Sequence, residues 1–181
     1  MYSTRNGDME RNLLFVKPDA VKRGISGEFI ERFERAGFKI VAMRMIWLTK
    51  QQASTFYSND REWLEMLATK VEEAFARKGK KFSKNKLQYG KQVKKYLIDY
   101  VTSGPVIAFV IEGNEAIMIS RKLIGSTDSS MSPPGTIRGD YCNDSLFAAN
   151  MEKRAALTLI HAAGTKKEAA DQIKVIFGNV S

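Results

Sequence analysis

Four short segments rich in apolar residues, spread along the chain, limit what it can fold into. The run VIAFVI at Val106–Ile111 contains only apolar residues, which is typical of a central strand buried on both faces. The segments Asn12–Lys17, Phe38–Leu48 and Ala156–Ile160 have the apolar content or the alternation of strands. The sequence therefore predicts four β-strands.

Segments with helical spacing of apolar residues lie between these strands. Helices are predicted over Gly24–Gly37, from Thr49 to Arg77, over Lys91–Tyr100, over Glu115–Ile124 with Asn114 as its cap, and from Thr165 to about Phe177. The lysine-rich stretch Gly79–Gly90 is predicted to be a loop. Reduced to its frame, the order is βαββαβ. It predicts a ferredoxin-like α+β sandwich, with a four-stranded antiparallel sheet and helices packed on one face.

Length and composition indicate one globular domain, 1–181. Hydrophobic residues make up 44% of the chain and charged residues 27%, which is enough for a folded core. Cys142 is the single cysteine, so an internal disulfide is excluded, as expected in a reducing compartment. The polar stretch Met1–Arg11 lacks the apolar core of a signal peptide, and no run of 18 apolar residues occurs. A soluble cytoplasmic protein without membrane association is therefore expected.

The positive charge is concentrated in one segment. The formal net charge is +9, and Arg77–Lys95 alone contains nine basic residues and no acidic residue. A solvated lysine-rich loop is the favoured interpretation. Nine cations with Phe82 and Tyr89 between them also have the composition of a nucleic-acid-binding segment, a less favoured alternative. A third interpretation is that the segment steers anionic ligands toward a site elsewhere in the protein.

His161 is the only histidine, so it cannot belong to a multi-histidine metal site. It is predicted to follow the last strand directly and to precede the helix that begins at Thr165. Anions are favoured near a helix N-terminus, and a neutral imidazole with an ordinary pKa of about 6.5 is a competent nucleophile. His161 is therefore a candidate catalytic residue, although a lone histidine is more often structural.

A long segment without a sustained period, Gly125–Arg154, contains a second candidate. Thirty such residues inside a domain indicate a functional loop. Within it, PGTIRGD at Pro134–Asp140 places Arg138 between two glycines. Glycines allow close approach to a ligand, and a guanidinium binds phosphate through paired hydrogen bonds, although a surface turn is the alternative. The sequence contains no P-loop, protein-kinase, H-E-x-x-H or G-x-S-x-G motif, so any nucleotide chemistry lies outside those architectures.

Taken together, five segments resemble the nucleoside diphosphate kinase family. They are RNLLFVKPDAVKRG at Arg11–Gly24, GPVIAFVIEG at Gly104–Gly113, RKLIGST at Arg121–Thr127, PGTIRGDY at Pro134–Tyr141, and Ile160–Ala162. The resemblance runs from Arg11 to Phe177, and its most specific strings are KPDA and PGTIRGD. It implies the ferredoxin-like fold. It also implies a kinase that passes the γ-phosphate of a nucleoside triphosphate to a nucleoside diphosphate through a phosphohistidine.

The resemblance also implies roles for individual residues. His161 matches the nucleophile, and Lys17 matches a lysine that contacts the sugar hydroxyl and the transferred phosphoryl group. The remaining matches are Arg121 and Thr127 at the β-phosphate, Arg138 bridging the phosphates, and Tyr57 beside the lysine and the histidine. The implied partners are nucleoside di- and triphosphates, with ATP as the phosphate donor and Mg²⁺ carried on the nucleotide phosphates. A homo-oligomer is also implied.

Three positions near the histidine depart from the family pattern. Thr158 stands where an asparagine usually bonds the sugar, Ala163 where a serine is usual, and Gln172 where a glutamate orients the imidazole. A glutamine accepts a hydrogen bond but brings no charge. An active enzyme with altered kinetics is expected, and a relative that binds nucleotides without catalysis is the alternative.

The chain also departs from the family pattern by an insertion at about residues 65–95, in the helices that grip the nucleotide. The basic segment Arg77–Lys95 lies within this insertion. Just before it, Trp63 is a candidate for the aromatic residue that stacks on the base, with core packing as the alternative.

Overall fold

The computed structural model of the protein describes residues 9–178, so most of the polar stretch Met1–Arg11 lies outside the described residues. The strands are β1 (Glu10–Val16), β2 (Lys39–Ile46), β3 (Val106–Gly113) and β4 (Ile160–Ala162). The helices are α1 (Pro18–Lys22), α2 (Ser26–Arg35), α3 (Lys50–Phe56), α4 (Arg61–Arg77), α5 (Lys86–Val101), α6 (Ala116–Ile124), α7 (Ile137–Tyr141), α8 (Leu146–Met151) and α9 (Lys166–Phe177). A short 3₁₀ turn covers Ser129–Met131. Within 9–178, no helix is long and apolar enough to cross a membrane.

The four strands form one sheet in the order β2-β3-β1-β4, and every neighbouring pair is antiparallel. This confirms the predicted βαββαβ frame and the ferredoxin-like α+β fold. The central strand β1 pairs with β3 over its whole length and with β4 at its end, where Phe15 lies opposite His161. The sheet therefore places the end of β1 beside the only histidine of the chain.

Helices cover both faces of the sheet, so the expectation of helices on one face was wrong. Side chains alternate along β1: Leu14 packs with α2 and α6, whereas Leu13 and Phe15 pack with α3, α5 and α9. Both sets are fully buried, which explains why Leu13–Val16 of β1 and Val106–Ile111 of β3 contain only apolar residues.

The helix predicted from Thr49 to Arg77 is two helices. The helix starts as predicted, with Thr49 and Gln52 forming a capping box, but α3 ends at Phe56 and α4 begins at Arg61. The buried ammonium group of Lys94, on α5, donates to the carbonyl oxygens of Ser54, Tyr57 and Ser58 at 3.1, 2.6 and 3.2 Å. These bonds satisfy carbonyl groups that the end of α3 leaves unpaired, so a contact from a distant helix stabilises the break.

The predicted loop Gly79–Gly90 is shorter than expected, because α5 begins at Lys86 after an Asn85 cap. Gly90 lies within the helix and does not interrupt it. A Cβ atom at this position would lie 2.0 Å from the carbonyl oxygen of Leu64, so the glycine lets α5 approach α4 closely. The two helices form an antiparallel pair, called the α4–α5 hairpin below, which includes most of the basic segment.

Three further boundaries were wrong. Helix α6 begins at Ala116 after Glu115, which has a positive φ of 48°, and Asn114 does not cap it. The segment Gly125–Arg154 contains the 3₁₀ turn, α7 and α8. The last strand is Ile160–Ala162 and not Ala156–Ile160, because Leu159 adopts a positive φ of 65° and interrupts the extended chain.

Candidate active site

His161 lies within β4, on the face of the sheet covered by α3 and α9. Its ring stacks on Phe15 with a centroid distance of 4.9 Å and meets the edge of Phe56 at 5.1 Å. His161 was predicted to follow the last strand directly, but the strand continues to Ala162, one residue after the histidine. Its bond to α9 is made by Gln172 within the helix and not by the first turn. The histidine therefore sits on a rigid sheet with its ring held by aromatic contacts.

A chain of hydrogen bonds fixes the protonation pattern of this imidazole. His161 Nε2 lies 2.8 Å from Gln172 Oε1, and Gln172 Nε2 donates to Glu168 Oε1 at 3.0 Å. The carboxylate of Glu168 only accepts, so the amide group of Gln172 must face it and the amide oxygen must face the histidine. His161 Nε2 therefore carries the hydrogen, and Nδ1 keeps its lone pair.

Glu168 is a site residue that the sequence analysis did not assign. It lies in the first turn of α9, where the hydroxyl group of Thr165 caps the helix by accepting from the Glu168 amide group. Its own carboxylate accepts from the Gly164 amide group at 2.7 Å and from Gln172. The signal in the sequence was its position one helical turn before Gln172, where an i,i+4 pair shares one face of a helix.

Lys17, at the end of β1, is buried close to the histidine. Its ammonium group donates to the hydroxyl group of Thr158 at 2.6 Å, and its backbone amide donates to the carbonyl oxygen of Leu159. Burial, together with the charge of Arg138, lowers the pKa of Lys17 to about 7, against a raising effect from Asp19. Thr158 therefore holds the lysine, and its hydroxyl keeps one hydrogen to donate elsewhere.

Arg138 is 8% exposed, and its guanidinium group binds backbone carbonyl oxygens around the site. Its Nε donates to the carbonyl oxygen of Thr158, Nη1 to those of Gly125 and Ser126, and Nη2 to that of Ile160, at 2.8–3.1 Å. Four of its five N–H groups are therefore engaged with the protein, and one remains for a ligand. Burial lowers the pKa of Arg138 to about 10.

The glycine after Arg138 lies in α7, directly against the backbone of Pro133. A Cβ atom at Gly139 would lie 2.0 Å from the carbonyl oxygen of Pro133, so only glycine fits there. Thr136 caps α7 by accepting from the Gly139 amide group at 3.0 Å. The motif therefore positions the guanidinium from a tightly folded segment. These glycines were predicted to allow close approach to a ligand, and that stays a prediction.

Arg121 and Thr127 lie on the side of the site formed by the end of α6. Arg121 is in the last turn of α6, and a Cβ atom at Gly164 would lie 3.1 Å from its Nη1. The hydroxyl group of Thr127 accepts a long hydrogen bond, 3.5 Å, from the ammonium group of Lys70 on α4. Lys70 is a second residue that the sequence analysis did not assign to the site.

Tyr57 and Trp63 are two further aromatic residues near His161. Tyr57 is buried, its ring lies 6.5 Å from that of His161, and burial raises the pKa of its hydroxyl group. The hydroxyl group has no hydrogen-bond partner among residues 9–178. Trp63 stacks on Tyr57 at 5.9 Å and packs against the core beneath α3 and α5. Its observed contacts are those of core packing, and base stacking stays a prediction.

The electrostatic surroundings keep His161 uncharged. Burial lowers the pKa of His161 to about 3, and the nearby cations Lys17, Arg138 and Arg121 lower it further, against the hydrogen bond of Gln172. A neutral imidazole with a free Nδ1, set among cationic side chains, is suited to attack a phosphorus atom that carries anionic oxygens.

The fold and the site together define an α+β sandwich protein with one oriented histidine surrounded by cationic side chains. The family model described as nucleoside diphosphate kinase matches residues 10–74 and 60–181. The chain is 41% identical over 174 residues to a nucleoside diphosphate kinase of Pyrobaculum aerophilum, covering 93% of this chain and 95% of the relative. The chain belongs to the nucleoside diphosphate kinase family.

Solved structures of similar proteins agree with this assignment. A crystal structure of an NDP kinase from Pyrobaculum aerophilum has a TM-score of 0.88 and 39% identity, over 93% of this chain and 96% of that one. A nucleoside-diphosphate kinase from Borrelia burgdorferi, solved as a transition-state mimic with vanadate and ADP, has a TM-score of 0.76 and 30% identity. That match covers 93% of this chain and 87% of the other.

Proposed function

We propose that His161 carries the phosphoryl group in this nucleoside diphosphate kinase. Its Nδ1 attacks the γ-phosphorus of a nucleoside triphosphate, the bond to the β,γ-bridging oxygen breaks, and the diphosphate leaves. The reverse attack by a second diphosphate returns the phosphoryl group and regenerates the neutral imidazole. The observation that carries this proposal is the bond chain from His161 through Gln172 to Glu168, which leaves Nδ1 unprotonated.

The surrounding side chains take the roles implied by the family. Lys17 and the one free N–H group of Arg138 stabilise the charge on the transferred phosphoryl group, and Arg121 with Thr127 binds the β-phosphate. Thr158 holds Lys17 and keeps a hydroxyl hydrogen for the sugar. Tyr57 packs beside the imidazole. Phosphoryl transfer depends mainly on alignment and positive charge, and these residues supply both.

Labelling with γ-labelled ATP tests the proposal. The purified protein, incubated with labelled ATP and Mg²⁺, is expected to acquire an acid-labile label and to pass it to added GDP. His161→Ala is expected to acquire none, because no other histidine is present. A wild-type protein that binds nucleotide but stays unlabelled would contradict the proposal and support the interpretation as a nucleotide-binding relative without catalysis.

The pH dependence of kcat/KM is expected to have an alkaline limb near pH 7. The pKa of Lys17 is lowered to about 7, so the free protein loses this phosphate-binding charge as the pH rises through that value. The pKa of His161 is lowered to about 3, so no acid limb is expected near 6.5, the ordinary value for histidine. Measuring kcat/KM from about pH 5 to about pH 9 checks both points.

Lys17→Arg is the control for this profile. An arginine keeps its charge over the whole range, so the alkaline limb should disappear even if the rate itself is lower. An acid limb near pH 6.5 together with a plateau above pH 7 would contradict the assignment of Lys17 and His161.

We propose that ATP is the phosphate donor and that Mg²⁺ enters on the nucleotide phosphates. The side chains assigned to the phosphates are cations and a hydroxyl group, which suit phosphate oxygens and not a divalent ion. A metal ion bridging the phosphates would neutralise part of their charge. We also propose a cytoplasmic location for one domain, 1–181, consistent with Cys142 being a free thiol.

We propose a homo-oligomer that uses the edge strand β2. Met43, Met45 and Trp47 alternate along this strand and its end and are 54%, 53% and 68% exposed. An exposed apolar strip on a sheet edge is a common association surface. Met45→Lys is expected to lower the mass measured by light scattering after size exclusion, whereas Met118→Lys, at an exposed methionine of α6, is not. A wild-type protein that elutes as a monomer would contradict the proposal.

A further inference from the structure

We propose that Lys70, on the α4–α5 hairpin, is an additional phosphate-binding residue that contacts the β-phosphate of the nucleotide. The inference rests on the proposed function, because the role of Thr127 at the β-phosphate locates the ligand. It gives the inserted hairpin a direct part in substrate binding. The two other interpretations of the basic segment, steering of anionic ligands from a distance and a solvated loop, do not predict this contact.

The first support is the position of the ammonium group. Lys70 Nζ lies 3.5 Å from Thr127 Oγ1, although the two residues are 57 positions apart in the chain. This is a weak hydrogen bond in the absence of a ligand. Two donors at this separation can both reach one phosphate oxygen at about 2.8 Å, and charged donors bind phosphate oxygens strongly. Lys70 and Thr127 therefore form a ready pair for a single phosphate group.

The second support is the charge around Lys70. Its side chain is half-buried, and burial lowers the pKa of its ammonium group. The charges of Arg121 and Arg138 lower it further, while Glu168 and Glu73 act in the opposite direction. Within residues 9–178, none of its neighbours forms an ion pair with it inside 4.0 Å. A half-buried cation near two other cations is stabilised when an anion binds between them.

The third support is that the hairpin is anchored to the loop that carries Thr127. Arg77, at the end of α4, forms an ion pair with the buried carboxylate of Asp128, the residue after Thr127. Phe75 packs on Phe147 of α8 at 4.9 Å. On α5, the Tyr89 hydroxyl group donates to Asn150 of α8 at 2.9 Å. These contacts fix α4 over the site, so the place of Lys70 is set by packing on both sides.

Binding of ADP and AMP to the whole protein, measured by calorimetry, tests the inference. Lys70→Met is expected to weaken ADP binding about 10-fold to 100-fold, the usual effect of losing one charged hydrogen bond. AMP lacks a β-phosphate, so its affinity should stay within about twofold. Lys70→Arg should keep most of the ADP affinity. Lys91→Met is the matched control, because it removes the same charge from an exposed position on α5.

Thermal unfolding without nucleotide separates binding from a structural role. Removing a cation from beside Arg121 and Arg138 should leave the melting temperature of Lys70→Met equal to or above that of the wild type. ADP affinity unchanged in Lys70→Met would overturn the inference, and so would equal losses for ADP and AMP. A marked loss of stability without ligand would also overturn it. These measurements need no phosphoryl transfer, so an unlabelled wild type would refute the histidine mechanism separately.

Discussion

Replacing Arg138 with alanine is expected to lower the free energy of unfolding by about 3–5 kcal/mol. The guanidinium satisfies four backbone carbonyl oxygens, those of Gly125, Ser126, Thr158 and Ile160. Its removal leaves the more deeply placed carbonyl groups without donors, and each unsatisfied buried acceptor costs about 1–3 kcal/mol. The loop after α6 and the approach to β4 would separate, so phosphohistidine formation is expected to fall below detection as well.

Arg138→Lys separates the charge of this residue from its geometry. A lysine keeps the positive charge but cannot donate in four fixed directions, so we expect an intermediate loss of stability and a large loss of rate. Urea unfolding measures the first and labelling measures the second. Arg35→Ala is the control, since its ion pair with Glu31 is 77% and 51% exposed and contributes little. An unfolding midpoint of Arg138→Ala equal to that of Arg35→Ala would contradict the structural role of Arg138.

The frame of the fold was predictable because it depends on local patterns. The VIAFVI run was correctly predicted to be a buried strand, and the predicted helix starts at Thr49 and Thr165 were correct. The break between α3 and α4 was not predictable, because Lys94 stabilises it from 36 or more positions away. Gly90 was misinterpreted for the same reason. Its meaning depends on Leu64 in the neighbouring helix, and a glycine alone indicates a loop as readily as a close contact.

The candidate site shows the same division between local and distant information. Motifs identified His161, Lys17 and Arg138 one by one, and the structure brings them around Thr158 and β4. The sequence did not reveal that most donors of Arg138 bind carbonyl groups, because those partners lie in two separate segments, the loop after α6 and the start of β4 with the residues before it. Lys70 is one of many lysines in the chain. Its contact with Thr127 depends on how α4 packs against the loop after α6, which the sequence does not show.

Replacing Glu168 with glutamine is expected to slow phosphohistidine formation about 10-fold to 100-fold, the range usual when a group that orients a reactive imidazole is lost. A glutamine at 168 can face Gln172 with either its oxygen or its amide group. The orientation of Gln172 is then no longer fixed, and the hydrogen of His161 can move to Nδ1, which removes the nucleophilic lone pair. Rapid-quench labelling measures the rate, and ADP affinity should stay within about twofold because no phosphate contact changes.

Moving the carboxylate by one helical turn should restore the rate. In the double variant Glu168→Gln and Gln172→Glu, the new glutamine donates to the carboxylate at 172 and still accepts from the Gly164 amide group. The carboxylate at 172 then accepts from His161 Nε2 directly. Gln172→Glu alone places two carboxylates where the present distance is 3.0 Å, so their repulsion should make it slower than the double variant. A folded double variant as slow as Glu168→Gln would show that the bond chain does not orient His161.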